Sequence, residues 1–476
     1  MSQIQAVHYR FFVDVLEADT VRAIHADTLS VLDRAGVNMP HEKVLAALSL
    51  AGARVSGTRV FIGEDVLNRA LSLCPPRYTL GARDGTQALH IDGRTGYLTL
   101  DGSGLSVMDP ETGAVRPSTL DDLREATRVA DALPQIAFMW PVVAARDCPE
   151  SVQPLWELYA QIENTTKHIQ AMTAVTGLTA RGSVEIARAV AGGTDRLRQN
   201  PVISSFLCST SPLSYAHDAL DALLVYAEAG IPTGFVTMQI GCATAPSTLY
   251  GNLVLGNAEI LAGITALQAI APGTPTFYGS CATTMDLMTG AATCGGPEDF
   301  VLQSAACQMA RFYRIPSNVG TFATGARTAG WRCGAENALS GMASALAGAD
   351  MMCGAGLLDG ARVFSFEQLV RDCEIFEMVR RYVQGVGPDP EAAEVICRVG
   401  PHGHFLAQKH TRKHMRSLWQ PSVINRQSGS DDAKEFADSI RQSHRAAPLE
   451  EGLPEEMERI IKTYERQASS WVRRTE

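Results

Sequence analysis

The residues able to do chemistry cluster in a few places along the chain. His402, His404, His410 and His414 crowd one short stretch, beside Lys409, Arg412 and Lys413. Their spacing is not H-E-x-x-H, no cysteine pair stands nearby, and the neighbouring cations would repel a metal ion. The group therefore reads as basic surface or capping histidines, with no metal expected. Cys242 and Cys281 end apolar runs, where a loop nucleophile would sit, but neither has a base in the adjoining sequence, so both read as small packing residues. A Schiff-base aldolase would need a lysine at a strand end, and the predicted strand ends have none. The clearest landmark is Met238-Gln239-Ile240-Gly241-Cys242-Ala243-Thr244-Ala245-Pro246, an apolar strand running into a loop of small residues. No acid, base or nucleophile stands out as catalytic.

The elements that must position these residues follow a repeating pattern. Apolar runs at Tyr97 to Leu100, Ile136 to Val143, His168 to Val175, Val202 to Leu207, Thr233 to Ile240, Thr276 to Gly279, Asn318 to Phe322 and Met351 to Leu357 alternate with helical stretches. Short apolar runs separated by amphipathic segments make βα units with parallel strands. Eight such units predict an α/β fold, a (β/α)8 TIM-type barrel, whose ligand site lies at the carboxyl ends of the strands. An open doubly wound sheet is the competing fold, but no glycine-rich dinucleotide fingerprint follows the first strand. The reading divides the chain into an N-terminal helical cap (1–95), the barrel (96–400) and a C-terminal helical extension (401–476). Thr119, or Ser118, before Asp121 and Asp122 marks a helix start. Glu259, inside the helix after the Met238 run, is expected to tie loops together.

Composition excludes several functions. The net charge of −10 and a pI near 5.6 leave no basic face for nucleic acid. The 11 cysteines are scattered without a C-x-x-C pair, and the first residues lack an apolar signal core. That combination points to a reducing cytoplasm. No uninterrupted apolar run is long enough to suggest a membrane span. Nothing in the sequence sets an oligomeric state, so homo-oligomerisation stays open.

Three stretches carry a resemblance. They are Gln239 to Pro246 with Asn257-Ala258-Glu259-Ile260-Leu261-Ala262-Gly263, then Ala310-Arg311-Phe312-Tyr313-Arg314-Ile315-Pro316-Ser317, and Gly400-Pro401-His402-Gly403-His404-Phe405-Leu406 continuing to His410-Thr411. Together they resemble the trimethylamine methyltransferase family, in its branch without pyrrolysine, over most of the chain. The resemblance implies a barrel that moves a methyl group from an amine to the cobalt of a separate corrinoid protein. Members with pyrrolysine act on trimethylamine, whereas this chain contains only the twenty ordinary residues. It is more similar to members that demethylate quaternary amines, glycine betaine first (giving dimethylglycine), with proline betaine, carnitine or butyrobetaine as alternatives. A barrel that binds a quaternary amine without turnover is the reading from another class. The chain lacks a corrinoid-binding D-x-H-x-x-G run, so the cobalamin is expected on the partner protein and none bound tightly here.

That chemistry selects candidate residues. A quaternary ammonium forms no hydrogen bond through its nitrogen and is held by aromatic faces and carboxylates. At or near predicted strand ends stand Tyr97, Phe277, Tyr278, Phe322 and Phe364, with Trp331 in the loop after Phe322. A betaine carboxylate calls for a fork of donors, which Arg327 and Arg332 in the loop Gly325 to Gly334 provide, with His404 as another donor. Gln239 is the uncharged polar residue placed to orient substrate. The cluster Lys409 to Arg416 is a candidate for steering an acidic corrinoid protein.

Overall fold

The computed structural model describes residues 3–102, 104–424 and 430–475, so Ser103 of the first strand-end loop lies outside the described residues. Eight short parallel strands form the centre: β1 (Thr95–Leu98), β2 (Phe138–Met139), β3 (His168–Gln170), β4 (Ile203–Cys208), β5 (Thr233–Thr237), β6 (Tyr278–Ser280), β7 (Ser317–Gly320) and β8 (Met351–Cys353). From β2 to β8 each pairs in parallel with the next. β8 pairs with β1 through Met351 and Tyr97, and the ring closes where the Ala137 N–H donates to the Leu98 carbonyl at 2.8 Å. Nearly every strand residue is buried, which is why the strands read as continuous apolar runs rather than alternating ones. This is the expected barrel.

A helix follows each strand, from Leu120–Ala132 after β1 to Phe366–Gln384 after β8. Local capping sets their starts. Thr119 accepts from the Asp122 N–H while Asp122 accepts from the Thr119 N–H, a reciprocal cap. Thr176 and Thr179 repeat the device, so that helix opens at Gly177. The helix after β5, Leu249–Ile270, is apolar on all sides and long enough to cross a membrane, yet it is buried in the fold. Its outer face is covered by the N-terminal helices Ala18–Arg34, Glu42–Leu50 and Glu64–Leu73. The N-terminal region also holds a small antiparallel sheet of Val37–Asn38, Arg59–Phe61 and Arg54–Ser56.

At the carboxyl face, two small ladders shape the rim. Ile240–Gly241 pairs with Thr283–Thr284, and Ser106–Met108 joins Val363–Phe364, locking the loop after β1 to the loop after β8. Glu259 ties a further loop as expected. Its carboxylate accepts from the Ser209 and Ser211 hydroxyls and, at 2.8 Å, from the Leu213 N–H.

Candidate functional site

Two adjoining cavities occupy the carboxyl end of the barrel. The inner one, about 330 Å³, is walled by Asp101, Met238, Ile240, Cys281, Phe300 and Thr321. The outer one, about 1060 Å³, is walled by Arg327, Trp331, Arg332, Glu336, Asp359 and Arg362. They share Ala292, Cys294, Gly295 and Gly360. The site thus draws on the ends of β1, β5, β6 and β7 and the loop after β8, the face where such barrels place their chemistry.

Asp101 is the charged group of the inner cavity with the least protein compensation. One carboxyl oxygen accepts from the Gly102 N–H at 2.7 Å, and the Cys353 thiol is within hydrogen-bonding reach. Among the described residues it pairs with no Lys, Arg or His. Desolvation in the barrel mouth, only partly offset by those two bonds, lifts its pKa to about 6. Asp299, on the same cavity, is differently placed. It accepts from the Gly296 N–H at 3.1 Å and the Thr283 hydroxyl at 2.8 Å, and so caps the helix Pro297–Tyr313. Burial raises its pKa too, against the pull of those bonds.

Thiols surround Asp101. Cys281 lines the cavity, while Cys353 is buried behind it with its sulfur 3.3 Å from the Val319 carbonyl oxygen. The hydrogen bond with Cys281, and then burial, push the Cys353 thiol up, so it stays neutral and inert as a nucleophile. Cys242, expected to pack, is instead exposed at a turn with φ 72°. Among the described residues no cluster of three or more His, Cys, Asp or Glu could hold a metal ion.

At the rim, arginines and carboxylates interlock. Arg327 Nε is 3.3 Å and Arg362 Nη2 is 2.9 Å from Asp359, and Arg332 Nε is 2.6 Å from Glu336. Glu336 also accepts from the Gly325 N–H at 3.0 Å, which fixes the glycine-rich loop. Trp331, the first residue of its helix, is 87% exposed.

The structure therefore gathers Arg327, Trp331 and Arg332 at the mouth and distributes the other sequence candidates elsewhere. Gln239 lies between two cavity residues, but strand alternation turns it the other way. Its Nε2 donates to the Asn252 carbonyl at 3.2 Å, against Gly256 of the long helix, where a Cβ would collide with it. Tyr278 likewise faces outward, its hydroxyl 3.0 Å from Asn257 Oδ1. Phe277 points inward but at the strand's start, packing on Phe206 beneath the mouth. Tyr97 donates to the His90 carbonyl, Phe322 sits over Gly341, and Phe364 meets Phe366 edge to face. His404 is exposed in the segment after the last barrel helix, outside both cavities.

Asp101 and Phe300 were missed. Asp101 falls in the Asp-Gly-Ser-Gly run that ends the first predicted strand, and its position at a strand end was the available signal. Phe300 stands in the first turn of a helix, where a search of strand ends does not look.

Comparison with known proteins agrees with this architecture. The chain is 34% identical over 436 residues to a glycine betaine methyltransferase of Desulfitobacterium hafniense, covering 90% of this chain and 91% of that one. It is 32% identical to the trimethylamine methyltransferase MttB of the same species, covering 93% and 92%. It is 30% identical to the MttB of Methanosarcina barkeri, covering 94% of both chains. The crystal structure of the M. barkeri monomethylamine methyltransferase MtmB superposes with a TM-score of 0.51 at 13% identity, over 95% of this chain and 92% of that one, a likeness of fold. The family model "Trimethylamine methyltransferase (MTTB)" matches residues 2–468, and the chain belongs to that family.

Proposed function

We propose that this chain transfers a methyl group from a quaternary amine, glycine betaine first, to the cobalt of a corrinoid held by a separate protein. The observation that carries the reading is Asp101: a carboxyl group on a small, largely apolar cavity, with no basic partner among the described residues. A charge left without a protein counter-ion in such a place is matched by a cationic ligand. A trimethylammonium group suits it, since Phe300, Met238 and Ile240 offer apolar surface to its methyl groups. The betaine carboxylate would then lie toward Arg327, Arg332 and Arg362 at the rim, exchanging with Asp359 or Glu336.

The chemistry asks little else of the protein. The corrinoid's Co(I) supplies a strong nucleophile, and a quaternary nitrogen leaves as a neutral amine, so no general acid is needed. The chain's own work is to hold the cation, exclude water from it and aim one methyl group along the opening. The outer cavity is wide enough to admit the partner's reactive group to that methyl. A neutral tertiary amine lacks the fixed charge and would need activation before it could leave. The relatives named for glycine betaine and for trimethylamine both lie near this chain, and the Asp101 carboxylate together with the ordinary twenty-residue alphabet favours the first.

The test is product identification by proton NMR with reduced corrinoid present. The expected result is dimethylglycine formed from glycine betaine, dependent on the reduced corrinoid. If glycine betaine and the related betaines are all left intact, the proposal fails. Tight betaine binding without any transfer would favour a binding barrel instead.

A further inference from the structure

The thiols beside the inner cavity have no part in the proposed methyl transfer, and strand register brings two of them together. Ser280 of β6 pairs with Val319 of β7, and Gly320 of β7 pairs with Cys353 of β8. Cys281, one residue past β6, therefore stands level with Gly320. The three positions form one row across the barrel wall, with Cys281 and Gly320 both facing the cavity.

Gly320 makes the meeting possible. A Cβ built there would lie 3.2 Å from the Cys281 sulfur, so any side chain at this position would compete for that space. With the space free, the Cys281 thiol hydrogen-bonds with Cys353. The Cys353 sulfur leans over the middle strand from the other side, 3.3 Å from the Val319 carbonyl oxygen. Two thiols thus meet while their backbones stay on opposite sides of β7.

The backbones decide what the pair can do. Neighbouring strands lie about 4.8 Å apart, so two Cα atoms with a strand between them are about 9 Å apart. A disulfide needs them within about 7 Å, so oxidation cannot join this pair without moving a strand. A single atom bonded to both sulfurs spans the gap instead. It must be soft to prefer thiolates. It must also leave no net charge, because Asp101 already stands beside the pair, with no basic partner among the described residues. Trivalent arsenic bearing one organic group meets both conditions. Two thiolates and one carbon complete its valence, and the product is neutral.

We propose that Cys281 and Cys353 form a dithiol site that captures trivalent organoarsenicals on the wall of the inner cavity. Capture condenses R–As=O with the two thiols. Two S–H bonds and the As=O bond break, two As–S bonds form, and the oxygen leaves with both protons as water. No atom changes oxidation state. Cys281, which lines the cavity, attacks first. Cys353, buried and held protonated, then closes the chelate from within. The occupant lies against Asp101, so its exclusion of a quaternary amine rests on the reading given above for that carboxylate.

The test uses the full chain with phenylarsine oxide as the probe. Retained arsenic is read by intact-protein mass spectrometry after a wash in excess glutathione, which strips arsenic held by one thiol. The wild type should retain a single arsenical. C281S and C353S should each weaken capture about 100-fold or more, because losing either thiol removes the intramolecular arm. Gly320→Ala keeps both cysteines but displaces the Cys281 sulfur, and it should weaken capture as well. No retention by the wild type would overturn the proposal. So would undiminished retention in either single-thiol variant, with Cys208 or Cys294 near Cys281 supplying the second sulfur. Saturating glycine betaine should slow capture by the wild type. Capture that needs both thiols yet is indifferent to glycine betaine would sustain the dithiol and count against the substrate reading.

Discussion

Replacing Asp101 with asparagine keeps the shape of the inner cavity and removes its charge. A trimethylammonium nitrogen packed against that carboxylate would sit about 5 Å from it, with the methyl groups between. At an effective dielectric of about 20 the attraction is about 3 kcal/mol. Part of this is offset by desolvating the cation, so the expected loss is about 2 kcal/mol, or roughly 30-fold in affinity. Calorimetry on Asp101→Asn should be run with glycine betaine and with 3,3-dimethylbutanoate, its uncharged-carbon counterpart of the same shape. The wild type should prefer the cation strongly, and the variant should lose most of that preference while binding the neutral-headed compound about as before. Such a cycle separates charge from packing. If the variant discriminates between the two ligands as well as the wild type does, Asp101 is not the counter-charge and the cation site must be sought elsewhere in the mouth.

Other outcomes follow from the same geometry. Because burial lifts Asp101 to about 6, its carboxylate is lost as pH falls through that value, so KM for a quaternary amine should rise about tenfold per pH unit below 6 and level off above 7. A KM flat between pH 5 and 7 in steady-state assays would contradict this. Gln239→Ala should leave KM within about twofold, because its amide faces the long helix, while thermal unfolding shows a loss of about 1 kcal/mol for the hydrogen bond to Asn252. Glu259→Gln weakens the charge-assisted bonds to Ser209, Ser211 and Leu213 and should cost about 2 kcal/mol in denaturant titration. Lys167→Met should cost about 3 kcal/mol, since its buried Nζ donates to the carbonyls of Ala130, Leu133 and Ile136 at 2.7–2.9 Å and these would lose their donor.

The barrel was legible because parallel strands buried on both faces leave unbroken apolar runs, and each of the eight runs overlaps a strand. Thr119 and Glu259 were legible for a related reason, since capping and loop-tying act over a few residues. The pocket was harder. Whether a side chain at a strand end faces the cavity depends on register, and a shift of one residue reverses it, as Gln239 between Met238 and Ile240 shows. Tyr278 and Phe277 differ by one position, and one meets the outer helix while the other fills the floor. Arg327, Trp331 and Arg332 stand at the mouth because a glycine-rich loop after a strand has few places to go except there. Asp101 needed the structure, because its reading rests on the absence of a basic neighbour among the described residues from distant parts of the chain.

The central claim is that the substrate arrives already cationic and is held by an unpaired carboxylate. The most direct measurement follows the loss of cob(I)alamin absorbance in single turnovers with wild-type enzyme and matched quaternary and tertiary amines. Consumption with glycine betaine and none with dimethylglycine or trimethylamine is the predicted result. Equal consumption with the tertiary amines, or none with any quaternary amine, would contradict the account.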